Sequence, residues 1–188
     1  RRASVEWLLS NHSKDCQTCN KNGHCELLEV AKLVGARDNM FTGEKTAVHV
    51  DTLAPGIGID TSKCILCGRC IVRCKEAQGI SILGFEKRGF NTFVSPVGGR
   101  SFAKVPCLQC GQCVNVCPVG ALFEQREIEL IDKAKAAGKY LVVQTAPAVR
   151  AALAEEFGHK IGELNAEGKM VAALHRLGFD RVYDTNFG

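Results

Sequence analysis

The sequence predicts an α+β chain of 188 residues in three parts. A small domain holds one histidine and three cysteines, a second carries a doubled cysteine run with a β insertion, and the third is the incomplete opening of an α/β domain. Three observations predict this. All eleven cysteines lie before residue 118, so a cysteine-bearing stretch is followed by one with none. The run at 64–74 returns at 107–117. Beyond it, apolar residues switch to alternating strand and helix spacing.

The first part, 1–49, holds a short helix with Val5, Leu8 and Leu9 on one face, then a cysteine-rich loop. A second helix carries Leu27, Val30, Ala31 and Val34 at i, i+3, i+4, i+7 spacing. Residues 50–60 end in Ala54-Pro55-Gly56-Ile57-Gly58 and read as a linker. Gly56-Ile57-Gly58 is no dinucleotide fingerprint, because no third glycine and no helix follow it. In the second part, 61–125, the cysteine runs are separated by a β-rich insertion, Ile80–Phe85 and Phe90–Val97, with Gly98-Gly99 as a turn. Trp7 and the insertion's phenylalanines are expected in the core.

The third part, 126–188, opens with a charged helix, Glu127–Ala137, and a buried-type strand, Tyr140–Gln144. Thr145-Ala146-Pro147 leads into a helix bearing Val149, Ala152, Leu153 and Phe157; proline suits a first turn and Gly158 a last one. A further helix carries Met170, Ala173, Leu174 and Leu177, and Phe179–Asp184 reads as a strand. Strand–helix–helix–strand begins a parallel α/β layer, and two strands do not complete one.

Composition bounds the chemistry. Hydrophobic residues are 46% and charged residues 23%, a globular balance. No apolar run reaches the ~18 residues of a membrane helix, so no span is expected, and the opening Arg1-Arg2-Ala3-Ser4 has no secretory pattern. An odd number of cysteines cannot all pair within one chain. Their two- and three-residue spacing suits metal ligation in a reducing, cytoplasmic compartment.

The doubled run reads Cys64-Ile65-Leu66-Cys67-Gly68-Arg69-Cys70-Ile71-Val72-Arg73-Cys74 and Cys107-Leu108-Gln109-Cys110-Gly111-Gln112-Cys113-Val114-Asn115-Val116-Cys117. Each is C-x2-C-x2-C-x3-C. Thiolates are soft ligands that suit iron in a tetrahedral sulfur field, and in bacterial two-cluster ferredoxins the fourth cysteine of such a run serves the other cluster. Cys64, Cys67, Cys70 and Cys117 are therefore assigned to one 4Fe–4S cluster, and Cys107, Cys110, Cys113 and Cys74 to another. The rival is structural zinc, whose motifs seldom stack three cysteines at two-residue gaps with a fourth after three. A third site has Cys16, Cys19 and Cys25 and lacks one ligand; imidazole can replace thiolate on cluster iron, and the spacing leaves both His12 and His24 open.

The H-x3-C-x2-C-x5-C pattern from His12 to Cys25, followed by two ferredoxin-type runs, resembles the large electron-input subunits of respiratory complex I, certain formate dehydrogenases and the iron-only (FeFe) hydrogenases. The resemblance implies His12 as the missing ligand and three 4Fe–4S clusters in all. The tail is similar to the opening of the FeFe hydrogenase catalytic domain, through Val142–Arg150, Gly168–Asp180 and Asp184-Thr185-Asn186-Phe187-Gly188. This resemblance spans nearly the whole chain. It implies that Ala146, Pro147 and Ala148 border the catalytic H-cluster, although some members carry Ser where this chain has Ala148.

In that family a 2Fe–2S module precedes the region and the H-cluster cysteines follow it, so this polypeptide is expected to be truncated, to lack the H-cluster ligands and to be non-catalytic alone. The resemblance further implies electron exchange with ferredoxin or with NAD(P)H- or flavin-linked subunits, a cytoplasmic, anaerobic setting, and packing against the rest of the catalytic domain. The alternative is a non-catalytic electron-transfer subunit of an NAD- or flavin-linked assembly.

The formal net charge is +4, but metal charge belongs in the sum. Clusters with four thiolates carry about −2 and one with three thiolates and a histidine about −1, bringing the loaded chain to about −1. The basic balance therefore gives no reason to expect nucleic acid. Lys63, Arg69, Arg73, Lys75 and Lys104 crowd the cysteine motifs, where they either offset cluster charge, dock an acidic ferredoxin, or form a solvated face.

Overall fold

Helix α1 (Arg2–Asn11) buries Val5 and, unexpectedly, Glu6. A carboxylate tolerates such a position only with partners. Glu6 Oε1 has three: Arg2 Nε at 3.0 Å, Arg37 N at 3.1 Å and Arg37 Nε at 3.2 Å. These bonds tie α1 to the segment after α2 (Glu26–Leu33), which buries Leu27 and Ala31 and carries acidic residues in its first turn and Lys32 in its last, as the helix dipole favours. The computed structural model describes residues 1–187. Gly188, last residue of the tail motif, lies outside the described residues.

The chain folds as two units, Arg1–Arg126 and Glu127–Gly188. The first contains both cysteine-bearing parts. Its sheet has three antiparallel strands in the order β1 (Val50–Asp51), β2 (Ile57–Asp60) and β5 (Leu122–Glu124), with Gly58 opposite Phe123. The stretch 50–60, expected as a linker, is thus mostly sheet, and β2 is its central strand. Ile57 and Ile59 are buried, and a Cβ on Gly58 would stand 2.7 Å from the Phe123 ring. The glycine permits close approach of a neighbour rather than a flexible joint.

Between β2 and β5 run α3 (Arg69–Val72), the antiparallel hairpin β3 (Leu83–Glu86) and β4 (Phe93–Pro96), and α4 (Gln112–Asn115). Phe93 and Phe102 are buried, but Phe85 and Phe90 are about half exposed, against the expectation for the insertion. Trp7 is also corrected: it is 63% exposed and leans on Phe41, ring centres 5.7 Å apart, because Val5 and Glu6 face inward.

In the second unit, α5 (Ile128–Ala136) precedes β6 (Val142–Thr145), α6 (Pro147–Glu156), α7 (Glu167–Arg176) and β7 (Arg181–Asp184). β6 and β7 pair in parallel, Val142 opposite Arg181 and Thr145 opposite Asp184. The order matches the strand–helix–helix–strand expectation, but β6 is not buried: Val142 is 54% exposed. Arg150 ties the elements together, its Nη1 reaching Glu167 Oε1 at 3.2 Å and Asp184 Oδ2. Among the described residues no helix is long and apolar enough to cross a membrane.

Candidate metal centres

Each half of the cysteine repeat folds the same way. Asp60 Oδ1 accepts from Ser62 N at 3.0 Å, capping a 3-10 turn, Thr61–Lys63, that delivers Cys64. Leu66 then turns to φ 54°, and its N–H points at Cys64 Sγ, 3.4 Å away. In the second half Gln109, at φ 51°, places its N–H 3.4 Å from Cys107 Sγ. Gly68 and Gly111, at φ 73° and 71°, cap α3 and α4. Left-handed backbone at Leu66 and Gln109 is costly for side-chain-bearing residues and is found where a site over-determines it. It wraps each loop around its own sulfur.

Short helices explain how the two runs cross. Cys70 lies in α3, and Cys74 follows about one turn later in a π-helical turn, Arg73–Ala77. Cys113 lies in α4, and Cys117 follows one turn beyond. One turn advances a side chain by ~5.4 Å along the axis, so each helix presents one sulfur to each of two cavities. The first cavity is lined by Cys64, Cys67, Cys70 and Cys117 with apolar neighbours such as Ile59, Val94 and Val119. The second is lined by Cys74, Cys107, Cys110 and Cys113 with Ile57, Leu83 and Phe102.

A third cavity gathers His12, Cys16, Cys19 and Cys25. His12 follows the last residue of α1, and the bond from Ser13 N to Ser62 O, 2.9 Å, pins this loop beside the turn that delivers Cys64. His24 instead lines a separate polar hollow with Lys21, Asn115 and Arg126. Among the described residues His12 Nδ1 is buried without a hydrogen-bond partner, and a buried nitrogen of this kind is satisfied when it ligates a metal. Burial lowers the imidazole's pKa, Lys63 lowers it further, and Asp60 partly opposes. The neutral ring that results is the form that binds metal.

The donor set fits iron–sulfur clusters. Among the described residues no three His, Cys, Asp or Glu side chains converge closely enough for a single metal ion. Four donors spread around one hollow suit a polynuclear occupant better than one zinc held at ~2.0–2.3 Å. Without metal, burial pushes the Cys64 thiol up to about 11 and those of Cys70 and Cys113 to about 12, with Cys107 also raised. Neighbouring sulfurs add to the shift, so thiolate form there depends on bound cations.

The basic residues around the motifs have differing surroundings. Arg69 Nη1 meets both Glu26 oxygens, at 2.8 and 2.9 Å, joining the residue after Cys25 to the residue before Cys70. Arg73 donates to Gln112 Oε1, at 3.0 Å from Nη2, linking the two halves of the repeat. Lys75 and Lys104 are exposed, whereas Lys63 turns into the His12 cavity. Sequence reasoning missed Gly120: a Cβ there would stand 2.4 Å from Cys19 Sγ. It missed Asp60 also, although an Asp two residues before Ser62 is a capping signal that spacing offers. In the second unit, Ala146 is the N-cap of α6, Pro147 its first residue, and both are exposed together with Ala148.

Known proteins match these parts in the same order. Residues 1–39 match the NADH-ubiquinone oxidoreductase-G iron-sulfur binding region, residues 63–121 a 4Fe-4S dicluster domain, and residues 139–188 the iron only hydrogenase large subunit, C-terminal domain. Over its full length the chain is 44% identical to the NADP-reducing hydrogenase subunit HndD of Solidesulfovibrio fructosivorans, covering 32% of that protein. It is 33% identical to iron hydrogenase 1 of Clostridium pasteurianum, covering 33%, so it spans about a third of either relative. The NADH-quinone oxidoreductase subunit 3 of Thermus thermophilus is 34% identical over 64% of this chain, covering 17% of that protein. A solved NAD+-reducing [NiFe]-hydrogenase matches with TM-score 0.61 and 27% identity, over 66% of this chain and 53% of that one.

Proposed function

Starting from a chain that is an FeFe hydrogenase-related iron–sulfur region, we propose that it carries electrons through three 4Fe–4S clusters to a hydrogen-converting catalytic domain. Cavity composition carries this reading: each hollow is lined by four of the twelve expected donors, and no donor lines two. His12, Cys16, Cys19 and Cys25 would hold one cluster. Cys64, Cys67, Cys70 and Cys117 would hold the second, and Cys74, Cys107, Cys110 and Cys113 the third.

The clusters would supply one-electron chemistry at their iron. The chain's own contribution is to hold donors at fixed spacing, to aim the Leu66 and Gln109 amides at Cys64 and Cys107 sulfurs, and to keep water from the apolar walls. Ala146, Pro147 and Ala148 would border the H-cluster of a longer protein, outside which this polypeptide would not turn over hydrogen. Electrons would be exchanged with ferredoxin or an NAD(P)-linked flavin subunit, in a reducing, anaerobic cytoplasm.

A second reading is a non-catalytic subunit of an NADH-linked complex, favoured by the match of residues 1–39. Residues 139–188, which match the hydrogenase domain, weigh against it. The test is iron and acid-labile sulfide analysis after anaerobic reconstitution. About twelve of each is expected, four per cluster. A plateau near eight, with Cys16 and Cys19 still open to alkylation, would refute the third cluster.

A further inference from the structure

Lys63 stands between two of the proposed clusters but addresses only one. It immediately precedes Cys64 in the chain, yet its side chain lines the cavity of His12, Cys16, Cys19 and Cys25 and not that of Cys64. A second observation places it there independently. Around the point where a Cβ on Gly120 would sit, Cys19 Sγ is 2.4 Å away and Lys63 Cδ 3.7 Å away, so the lysine stem flanks the sulfur. The side chain is only 17% exposed, and among the described residues its ammonium has one ion-pair partner, Asp60 Oδ2, at 3.4 Å. Asp60's other oxygen accepts from both Ser62 N and Ser62 Oγ, at 3.0 and 2.7 Å. The carboxylate keeps its full negative charge, but of the pair only Lys63 lines the cavity, so the lysine lies nearer the site than its counter-charge does.

Resting on the three-cluster reading, we propose that Lys63 is a positioning residue whose fixed charge makes the His12-side cluster easier to reduce than its ligands alone would. Reduction adds one electron there, delivered by the ferredoxin or NAD(P)-linked flavin subunit proposed above, and makes or breaks no bond. A positive charge held against the cavity wall and shielded from water stabilises the added negative charge, because screening is weak where solvent is excluded. The effect is selective. Of the three proposed cluster cavities, only this one includes Lys63 in its lining. Asp60 works against it, and Lys21 and Asp15, which also line this cavity, add one further charge of each sign. The share of relay electrons held on the His12 side would be larger than without that charge.

The test is an anaerobic potentiometric titration of the full, cluster-loaded chain followed by EPR, with iron and sulfide counted in each sample. In Lys63→Met the equilibrium constant for reducing the His12-side cluster should fall about tenfold, about 59 mV for one electron, while the other two clusters move less. Lys63→Arg should restore it. Asp60→Asn keeps a capping oxygen but removes the negative charge, and should shift the same cluster the opposite way. If Lys63→Met fails to load, Asp60→Asn decides alone.

An unmoved His12-side cluster at full iron content overturns the proposal, as does an equal shift of all three. A purely structural staple would give loss of cluster or no shift, and no reversal of sign between the two variants. About eight irons in the unaltered chain would instead sink the three-cluster reading itself.

Discussion

Replacing Phe102 with alanine should release one cluster ahead of the others. Phe102 is 2% exposed and among the largest fully buried side chains. It lines the cavity of Cys74, Cys107, Cys110 and Cys113 together with Ile57, Ile82 and Leu83, and its N–H donates to Asp51 Oδ2 at 2.7 Å. Truncating a buried Phe to Ala costs about 3–5 kcal/mol through lost burial and the hole left behind. That is a large share of the ~5–15 kcal/mol that holds a domain together.

Cluster loss makes unfolding irreversible, so a rate is the proper observable. Even if only half the cost reaches the unfolding barrier, unfolding should quicken about ten- to seventy-fold. The assay is the anaerobic bleaching of visible absorbance in guanidinium, with the order of cysteine alkylation read by mass spectrometry. Phe102→Leu should fall between. The reasoning fails if bleaching quickens less than about threefold, or if Cys16, Cys19 and Cys25 become labelled before Cys107, Cys110 and Cys113.

The crossing of the two runs gives a second expectation. Cys117→Ser should expose Cys64, Cys67 and Cys70 to alkylation and spare Cys107, Cys110 and Cys113, and Cys74→Ser should do the reverse. Uncrossed damage would refute the assignment by cavity. A third expectation concerns pH. With Cys64 raised to about 11 and Cys70 and Cys113 to about 12, these thiols are protonated near neutrality, and each must release a proton on binding iron. Loading at limiting iron should therefore improve as pH rises and weaken as it falls, and protons should appear in the medium during assembly. Loading that is flat between about pH 6.5 and 8.5 would contradict this.

Much of the fold was legible because the periodic signals were local. α2, α6, α7 and the parallel pair β6 and β7 lie where apolar spacing placed them. The error at 50–60 had a physical cause. Glycine and proline punctuate loops, but Gly58 is where the Phe123 ring presses on β2, and only the distant partner β5 reveals that. Trp7 failed similarly. Size and hydrophobicity suggested the core, but α1's inward face is decided by the ion pairs of Glu6, a charged residue that no apolar pattern marks.

The cysteines that line each cavity were legible for a different reason: spacing within a short loop nearly determines which sulfurs can share a cavity. Side chains four residues apart on a short helix share a face but stand a turn apart along the axis, which suits the crossing at Cys74 and Cys117 that the ferredoxin-type spacing implies. What spacing could not supply was the contact between sites. Gly120 lies far in sequence from Cys19, yet it has no room for a Cβ beside that sulfur, and the Glu26 N–H donates to Pro118 O at 3.1 Å. Pro118 and Gly120 follow Cys117, a donor of the next cavity. The segment Cys117–Gly120 therefore joins the walls of two cavities, and Lys63, next to Cys64, approaches the same sulfur from another element. Gly120 belongs to neither motif, which is why a motif search passes over it.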